Sequence, residues 1–252
     1  MWEELLNAIF PERCISCDKP GSALCAICER TITTHPIALS GTTAALFDYR
    51  NPLVKKAIWS LKYKRKRSLG KYFGTALYRE FFKHLAYGNK KTNEEIILIP
   101  VPASAKATSI RGYNHAAIIA KTIADCAKND DLKLTLRTDM LYKKKEVEHQ
   151  VRVQSKSARE ENVDHVFAVR HGDEIFEKTV ILVDDVITTG ATIKDAKRAL
   201  RVFKPKRILA IAAAHERNSR CNASRASASH SRYEASRPSC EAGSQKFMSD
   251  GE

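Results

Sequence analysis

The chain has 252 residues, 43% hydrophobic and 29% charged, a composition typical of a globular protein rather than a disordered or fibrous one. No apolar run approaches the roughly 18 residues that a bilayer-spanning helix requires, which argues against an integral membrane protein. The formal net charge of +14 favours polyanionic partners, either nucleic acid or phosphorylated small molecules. The alternative is a basic surface that serves solubility alone.

The N-terminal stretch "MWEELLNAIFPER" carries acids where a secretory signal would carry bases, so we predict no export signal and a cytoplasmic protein. Trp2, Leu5, Leu6 and Ile9 fall on one face of a short predicted helix that ends at Pro11. We expect this face to pack against the rest of the protein.

Four cysteines form the first candidate site, in two Cys-x-x-Cys pairs joined by a stretch that contains Pro20 and Gly21. This spacing predicts a closed tetrahedral thiolate site for a structural Zn²⁺ ion, within an N-terminal helix and knuckle over residues 1–35. Disulfides are the alternative, and the reducing cytoplasm disfavours them. Four thiolates leave no open coordination position, so the metal would stabilise the fold rather than act in catalysis. The predicted metal ligands are Cys14, Cys17, Cys25 and Cys28.

Residues 40–92 are predicted to be mainly helical and to pack on the core, because "NPLVKKAIWSLKY" and "LGKYFGTALYREFFKHLAY" repeat apolar residues at three- and four-residue steps. Bases and aromatic residues alternate in "SLKYKRKRSLGKYF". Bases can hold a phosphate backbone while the rings of Tyr63, Tyr72 and Phe73 stack on unpaired bases. The alternative is that the rings face the core and the bases form a solvated face. The predicted nucleic-acid-binding residues are Lys62, Lys64, Arg65, Lys66 and Arg67.

Strand-like and helix-like segments alternate between residues 93 and 215. "EIILI", "TVILV" and "RILAIAAAH" are short apolar runs, separated by the amphipathic stretches "HAAIIAKTIADCAK" and "TIKDAKRALRVF". This alternation predicts an α/β fold with a parallel sheet flanked by helices. Residues 216–252 are rich in Ser, Arg and Ala without any period, which predicts a disordered or appended tail.

The segment "VILVDDVITTGAT" forms a further candidate site, in which a predicted strand ends at the adjacent carboxylates Asp184 and Asp185. We expect these acids at the carboxyl edge of the sheet, where open α/β sheets bind ligands. The loop over residues 188–192, with Gly190 and a helix that begins near Thr192, offers N–H groups and hydroxyls to a phosphate. A ribose phosphate fits both features. The alternative is that one acid merely caps the helix.

Several motifs identify a family. "VILVDDVITTGAT" resembles the 5-phosphoribosyl-1-pyrophosphate (PRPP) motif of type I phosphoribosyltransferases. "IPVPASAKATSIRGYNHAAIIA" is similar to the segment that the ComF/GntX family (competence protein F-like) carries upstream, where the usual Arg-Gly-Phe-Asn-Gln is here altered at Tyr113 and His115. "HQVRVQSKSAREENVDHVF" and the cysteine knuckle also match. The resemblance covers about residues 5–215, and the tail has no counterpart in it.

The resemblance implies a type I phosphoribosyltransferase-like sheet that binds PRPP with Mg²⁺. Asp184 and Asp185 would hold the sugar and support its developing positive charge as catalytic residues. Lys106 would add charge beside the pyrophosphate, and the loop "YKKKEVEHQVRVQSKSARE" is the candidate lid. The implied PRPP-binding residues are Val101, Pro102, Ala103, Ser104, Arg111, Asp184, Asp185, Thr188, Thr189, Gly190, Ala191 and Thr192.

Two functions follow from the resemblance. One is a protein of DNA uptake and natural transformation that binds PRPP or a ribose phosphate and single-stranded DNA, with a DNA-uptake helicase as a partner. The other is an active phosphoribosyltransferase that transfers ribose 5-phosphate from PRPP to a small-molecule acceptor. No segment of the sequence reads as the hood that selects a purine or pyrimidine in base-specific transferases, so the acceptor is not identified.

Overall fold

The computed structural model of the protein describes residues 11–83, 95–144 and 166–216, with the side chains of residues 105–107 left undescribed. The chain divides into two units, Met1–Arg217 and Asn218–Glu252, and the second unit lies outside the described residues. The predicted N-terminal helix, most of the candidate lid and the side chain of Lys106 also lie outside them. Across the described ranges, no helix combines the length and the apolar character that crossing a membrane requires.

The described residues of the first unit contain the strands β1 (Ile37–Ser40), β2 (Thr43–Asp48), β3 (Ile96–Pro100), β4 (Leu134–Leu136), β5 (Leu141–Lys143), β6 (Phe167–Val169), β7 (Thr179–Ile187) and β8 (Arg207–His215). Six of them form a central sheet, in the order β1-β2-β8-β7-β3-β4. Strand β1 pairs antiparallel with β2, and the other four pairings are parallel. Strands β5 and β6 form a separate antiparallel pair.

Helices connect the strands. Within the described ranges the α-helices are α1 (Ala26–Glu29), α2 (Pro52–Tyr63), α3 (Ser68–Leu77), α4 (Ala105–Arg111), α5 (His115–Asn129) and α6 (Ala191–Arg201); Tyr78–Phe82 is a π-helical turn and Gly172–Ile175 a 3₁₀ turn. Asn51 caps α2, since its Oδ1 accepts hydrogen bonds from the N–H groups of Leu53 and Val54 at 2.9 and 3.3 Å, and Pro52 occupies the first turn. Gly190 precedes α6 with a left-handed φ of 77°.

The core lies on both faces of the sheet, because successive strand residues point to opposite sides. Leu98 and Ile181 pack with α2, α3 and α5 in one cluster. Ile99 and Leu182 pack with α6 and the β5–β6 pair in the other. The predicted α/β fold, with a mostly parallel sheet flanked by helices, is therefore confirmed.

The expectation of a mainly helical segment from residue 40 did not include strand β2. Its central residues Ala45, Leu46 and Phe47 are fully buried, and β2 joins the parallel sheet beside β8. The sequence "TAALFD" is short and half of it is Ala and Leu, which favour helices as readily as strands. Its strand conformation depends on pairing with a partner more than 150 residues later in the chain.

Candidate functional site

The loop after β3 begins the candidate site. The N–H group of Val101 donates to the carbonyl oxygen of Val183 at 2.8 Å, which extends the β3–β7 pairing by one bond. Asn114 caps helix α5 by accepting a hydrogen bond from the N–H group of Ala116 at 3.1 Å. Its Nδ2 donates to the carbonyl oxygen of Val101 at 3.0 Å. One side chain thus fixes both the start of α5 and the loop that was predicted to hold pyrophosphate.

Asp184 and Asp185 lie within strand β7 rather than after it. The strand was expected to end at Val183, but it continues to Ile187 because β8 pairs with it as far as His215. Strand β3 stops opposite Val183, so the two acids extend beyond the end of that neighbouring strand. The N–H group of Asp185 donates to Oδ1 of Asp184 at 2.8 Å.

A cavity of about 320 Å³ opens at this edge of the sheet. It brings together parts of the chain that are far apart in sequence: the end of α2, the loop after β3, the start of α5, strand β5 and the acid pair. The lining residues are Lys62, Val101, Pro102, Ala103, Ser104, Arg111, Asn114, His115, Ala116, Lys143, Asp184, Asp185 and Thr192.

The carboxylate of Asp185 has two partners. The ammonium group of Lys62 lies 2.9 Å from its Oδ1, and Nδ1 of His115 lies 3.5 Å from its Oδ2. Asp185 and His115 are buried, with exposed fractions of 7% and 3%. Nε2 of His115 has no hydrogen-bond partner among the described residues.

Burial and charge set the ionisation of the site. Burial, reinforced by the negative charge of Asp185, raises the pKa of Asp184 to about 7. Burial also lowers the pKa of His115, against the opposing effect of Asp185. At neutral pH the site therefore contains a neutral imidazole and an acid pair that carries less than two full charges.

The loop over residues 188–192 reaches the cavity through Thr192 alone among its predicted members. Thr188, Thr189 and Ala191 are exposed. The N–H group of Ala191 donates to Oγ1 of Thr189 at 3.4 Å, and the N-cap residue Gly190 has no side chain to add a capping bond. The predicted PRPP-binding residues of the other segments, Val101, Pro102, Ala103, Ser104, Arg111, Asp184 and Asp185, all line the cavity.

Comparison with known families agrees with this architecture. Residues 110–236, half of the chain, match the family model described as phosphoribosyl transferase domain. The chain belongs to the phosphoribosyltransferase domain family. The match continues past the end of β8 at His215, whereas the resemblance was expected to end near residue 215. Comparison with curated proteins gave no match.

Three solved structures are similar to this phosphoribosyltransferase domain. Glutamine PRPP amidotransferase from B. subtilis, complexed with ADP and GMP, is 18% identical with a TM-score of 0.37, covering 57% of this chain and 26% of that one. A hypoxanthine phosphoribosyltransferase from Staphylococcus aureus is 14% identical with a TM-score of 0.33, and the match covers 56% of this chain and 62% of that one. HGPRT-ase from Leishmania tarentolae, in complex with GMP, is 10% identical with a TM-score of 0.33, and the match covers 57% of this chain and 66% of that one. The chain thus spans about a quarter of the B. subtilis enzyme.

Sequence reasoning missed part of the cavity of the phosphoribosyltransferase domain. Asn114 had a usable signal, since Asn directly before an apolar-periodic run is a preferred helix cap. Lys143 was assigned to the lid, but it lies in strand β5. Lys62 was predicted to bind nucleic acid, and the structure places its ammonium group in the cavity. Only the tertiary packing of α2 places Lys62 beside β7, so no local pattern marks it.

The remaining predicted nucleic-acid-binding residues surround the end of α2. Lys64 lies over the ring of Trp59 at 5.3 Å, and Arg67 lies over the ring of Tyr113 at 4.7 Å. Lys66 donates a hydrogen bond to the carbonyl oxygen of Arg13. Lys64, Arg65 and Arg67 are exposed. We name the exposed group formed by Trp59, Tyr63, Lys64, Arg65 and Arg67 the basic-aromatic surface.

The rings near this segment divide into two groups. Trp59 and Tyr63 are 48% and 57% exposed, with ring centroids 5.7 Å apart. Phe73 is fully buried, and Tyr72 stacks on Phe47 at 6.1 Å in the core. For Tyr72 and Phe73 the alternative therefore holds, and these rings face the core. The rings of Tyr63 and Trp59 are the exposed ones in this segment.

The four N-terminal cysteines form a compact cluster. Their sulfur atoms all lie within 4.8 Å of one another, and the sulfur atoms of Cys17 and Cys25 are 3.6 Å apart. A tetrahedral Zn²⁺ with bonds of about 2.3 Å requires sulfur separations of roughly 3.8 Å, so the cluster fits this ion. Burial opposes ionisation of Cys14, but N–H groups from the surrounding turn outweigh it and lower the pKa of that thiol to about 6. The knuckle is thus suited to a metal such as zinc.

Proposed function

We propose that this phosphoribosyltransferase domain binds PRPP, or another ribose phosphate, in the cavity at the carboxyl edge of its sheet. One observation carries the proposal: the loop over residues 101–104, Arg111 and the acid pair line one cavity. The loop and Arg111 would take the pyrophosphate, and the acid pair would accept hydrogen bonds from the ribose hydroxyls. Thr192, in the first turn of α6, would contact the 5-phosphate. Mg²⁺ would enter with PRPP and neutralise part of its charge.

Calorimetric titration of PRPP in the presence of Mg²⁺ tests this assignment. We expect the double variant Asp184→Asn and Asp185→Asn to bind PRPP at least about tenfold more weakly, because a ribose hydroxyl loses a charged acceptor. Asp173→Asn is the matched control, since Asp173 borders a different cavity formed with Phe176 and Val202. Equal affinity of the double variant and the wild type, or no binding by the wild type, would refute the assignment.

We further propose that the protein is ComF-like and binds single-stranded DNA during DNA uptake. The basic-aromatic surface supports this, because it presents two exposed rings beside exposed bases. Arg111 lies over the ring of Tyr63 at 5.0 Å, so the surface adjoins the cavity. A DNA-uptake helicase is the partner that this role implies.

Fluorescence anisotropy with a labelled single-stranded oligonucleotide tests the DNA proposal. Charge reversal of Lys64 and Arg67 should abolish binding, and the affinity of the wild type should fall steeply as salt rises. Charge reversal of Lys194 and Arg201, two exposed bases on α6, is the control with the same change in net charge. Equal loss in both variants would mean that general positive charge, not this surface, binds the oligonucleotide.

The alternative function is catalytic transfer of ribose 5-phosphate from PRPP to a small-molecule acceptor. Its transition state would carry oxocarbenium character, which the acid pair would stabilise. A transferase releases pyrophosphate from PRPP when its acceptor is present. Screening purines, pyrimidines and small amines for acceptor-dependent pyrophosphate release separates this alternative from a binding role. Release that persists in the double acid variant would count against Asp184 and Asp185 as catalytic residues.

A further inference from the structure

Lys62 enters the cavity from outside the segments that were expected to build it. It occupies the last turn of helix α2, and its side chain is 24% exposed. Its ammonium group lies 2.9 Å from Oδ1 of Asp185, a carboxylate that is itself 10% exposed. The ammonium group of Lys62 therefore binds one of the carboxylate oxygens that would accept a ribose hydroxyl under the proposed function.

Two contacts connect the surroundings of Lys62 to the loop before α5. Tyr113 donates a hydrogen bond to the carbonyl oxygen of Leu61, the residue before Lys62. His115, which follows the same loop, contacts the other oxygen of Asp185 at 3.5 Å. The end of α2 is thus attached to the loop before α5, which places the backbone of Lys62 beside the cavity.

A ligand hydroxyl that takes Oδ1 of Asp185 must displace this ammonium group. The hydroxyl groups of a neutral sugar offer Lys62 only uncharged acceptors, and a largely buried charge without an ionic partner is costly. A phosphoryl group close to that hydroxyl gives the ammonium group a new anionic partner inside the same cavity, with a charge-assisted hydrogen bond. The loop over residues 101–104, which would hold pyrophosphate, lines that cavity together with Lys62.

We propose that Lys62 is a specificity-determining residue, which exchanges Asp185 for a phosphoryl group on C1 of the ribose and so selects PRPP over ribose 5-phosphate. This inference rests on the proposed function, because it assumes that the acid pair accepts ribose hydroxyls. It adds a residue from helix α2 to the site. It also predicts which of two ribose phosphates the free protein prefers.

The test compares the affinities of PRPP and ribose 5-phosphate, each measured by calorimetry with Mg²⁺, for the wild type and three variants. Lys62→Met removes the charge and keeps much of the side-chain length. We expect it to bind PRPP about tenfold more weakly, and ribose 5-phosphate as well as or better than the wild type. Lys62→Arg keeps the charge and should restore the preference for PRPP. Lys56→Met is the matched control, because Lys56 is an exposed lysine on the same helix and is not among the lining residues of the cavity.

The outcomes separate the two proposals. If the wild type binds neither ligand, the proposed function is wrong, and this inference fails with it. If the wild type binds both ligands and Lys62→Met weakens both by the same factor, or changes neither, Lys62 is structural and only this inference is wrong. The same holds if Lys56→Met changes the ratio of affinities as much as Lys62→Met does.

Discussion

The hydroxyl group of Tyr113 donates a hydrogen bond to the carbonyl oxygen of Leu61, which lies 52 residues earlier in the chain. The ring of Tyr113 also packs edge-on against His115, with centroids 5.3 Å apart. Both residues lie at the junction between the cavity and the end of helix α2.

Replacing Tyr113 by Phe should lower the free energy of unfolding by about 1 kcal/mol, because the carbonyl oxygen of Leu61 loses its donor while the ring is kept. Urea denaturation measures the change. Tyr63→Phe is the control, since its hydroxyl is on an exposed ring and its partner Arg111 is 3.4 Å away. Equal stability of Tyr113→Phe and the wild type would show that this bond contributes nothing.

Most of the fold could be predicted from the sequence because local patterns determine it. The run "EIILI" became β3, and "HAAIIAKTIADCAK" became most of α5, since apolar period and cap residues act over a few neighbours. The strand "TAALFD" could not be predicted in this way. Its burial comes from β8, and nothing in its own six residues distinguishes it from a helix.

The candidate site likewise combines residues that local patterns predict with residues that only tertiary packing places there. The loop over residues 101–104 follows β3, and the acid pair lies in β7 beyond the end of β3, so strand prediction was enough to place both at one edge of the sheet. Lys62 and Lys143 reach the cavity from other elements, and their placement depends on how those elements pack. A lysine on an amphipathic helix carries no signal that distinguishes solvent from a cavity.

Close packing of α3 on α5 requires a glycine at position 74. A Cβ atom there would lie 2.7 Å from the carbonyl oxygen of Ile119 and 2.5 Å from Cβ of Thr122. We expect Gly74→Ala to lower the free energy of unfolding by about 1–3 kcal/mol, although Ala favours a helix by roughly 1 kcal/mol. Gly41→Ala is the control, because a Cβ atom there meets nothing within 4 Å. Chemical denaturation compares the two, and equal stability would contradict the packing argument.

The cysteine cluster should contain about one equivalent of zinc, measured by elemental analysis. Cys14→Ser should lose the metal and lower Tm by roughly 5 °C or more, because the folding free energy of the knuckle depends on the ion. Ile15 and Ile32 pack from this region into the main core, so the effect should extend beyond the knuckle. Cys126→Ser, on helix α5, is the control and should retain zinc. A zinc-free wild type, or a Cys14→Ser protein that stays zinc-loaded, would refute the site.

The raised pKa of Asp184 predicts how stability depends on pH. Burial and the neighbouring charge of Asp185 raise this pKa from 3.8 to about 7, so between these values the unfolded chain has lost a proton that the folded chain retains. The free energy of unfolding that Asp184 contributes therefore decreases as pH rises through that window. Asp184→Asn removes the titration while Oδ1 still accepts the N–H group of Asp185, so its Tm relative to the wild type should rise between about pH 5 and about pH 8. Calorimetry at both pH values measures the difference.

Asp139→Asn is the control, because Arg137 lowers the pKa of Asp139. The stability that this carboxylate contributes is already complete above its unfolded pKa, so it changes little between about pH 5 and about pH 8. A Tm difference for Asp184→Asn that stays constant with pH would show that Asp184 is ionised throughout, and would remove the argument that the acid pair shares its charge.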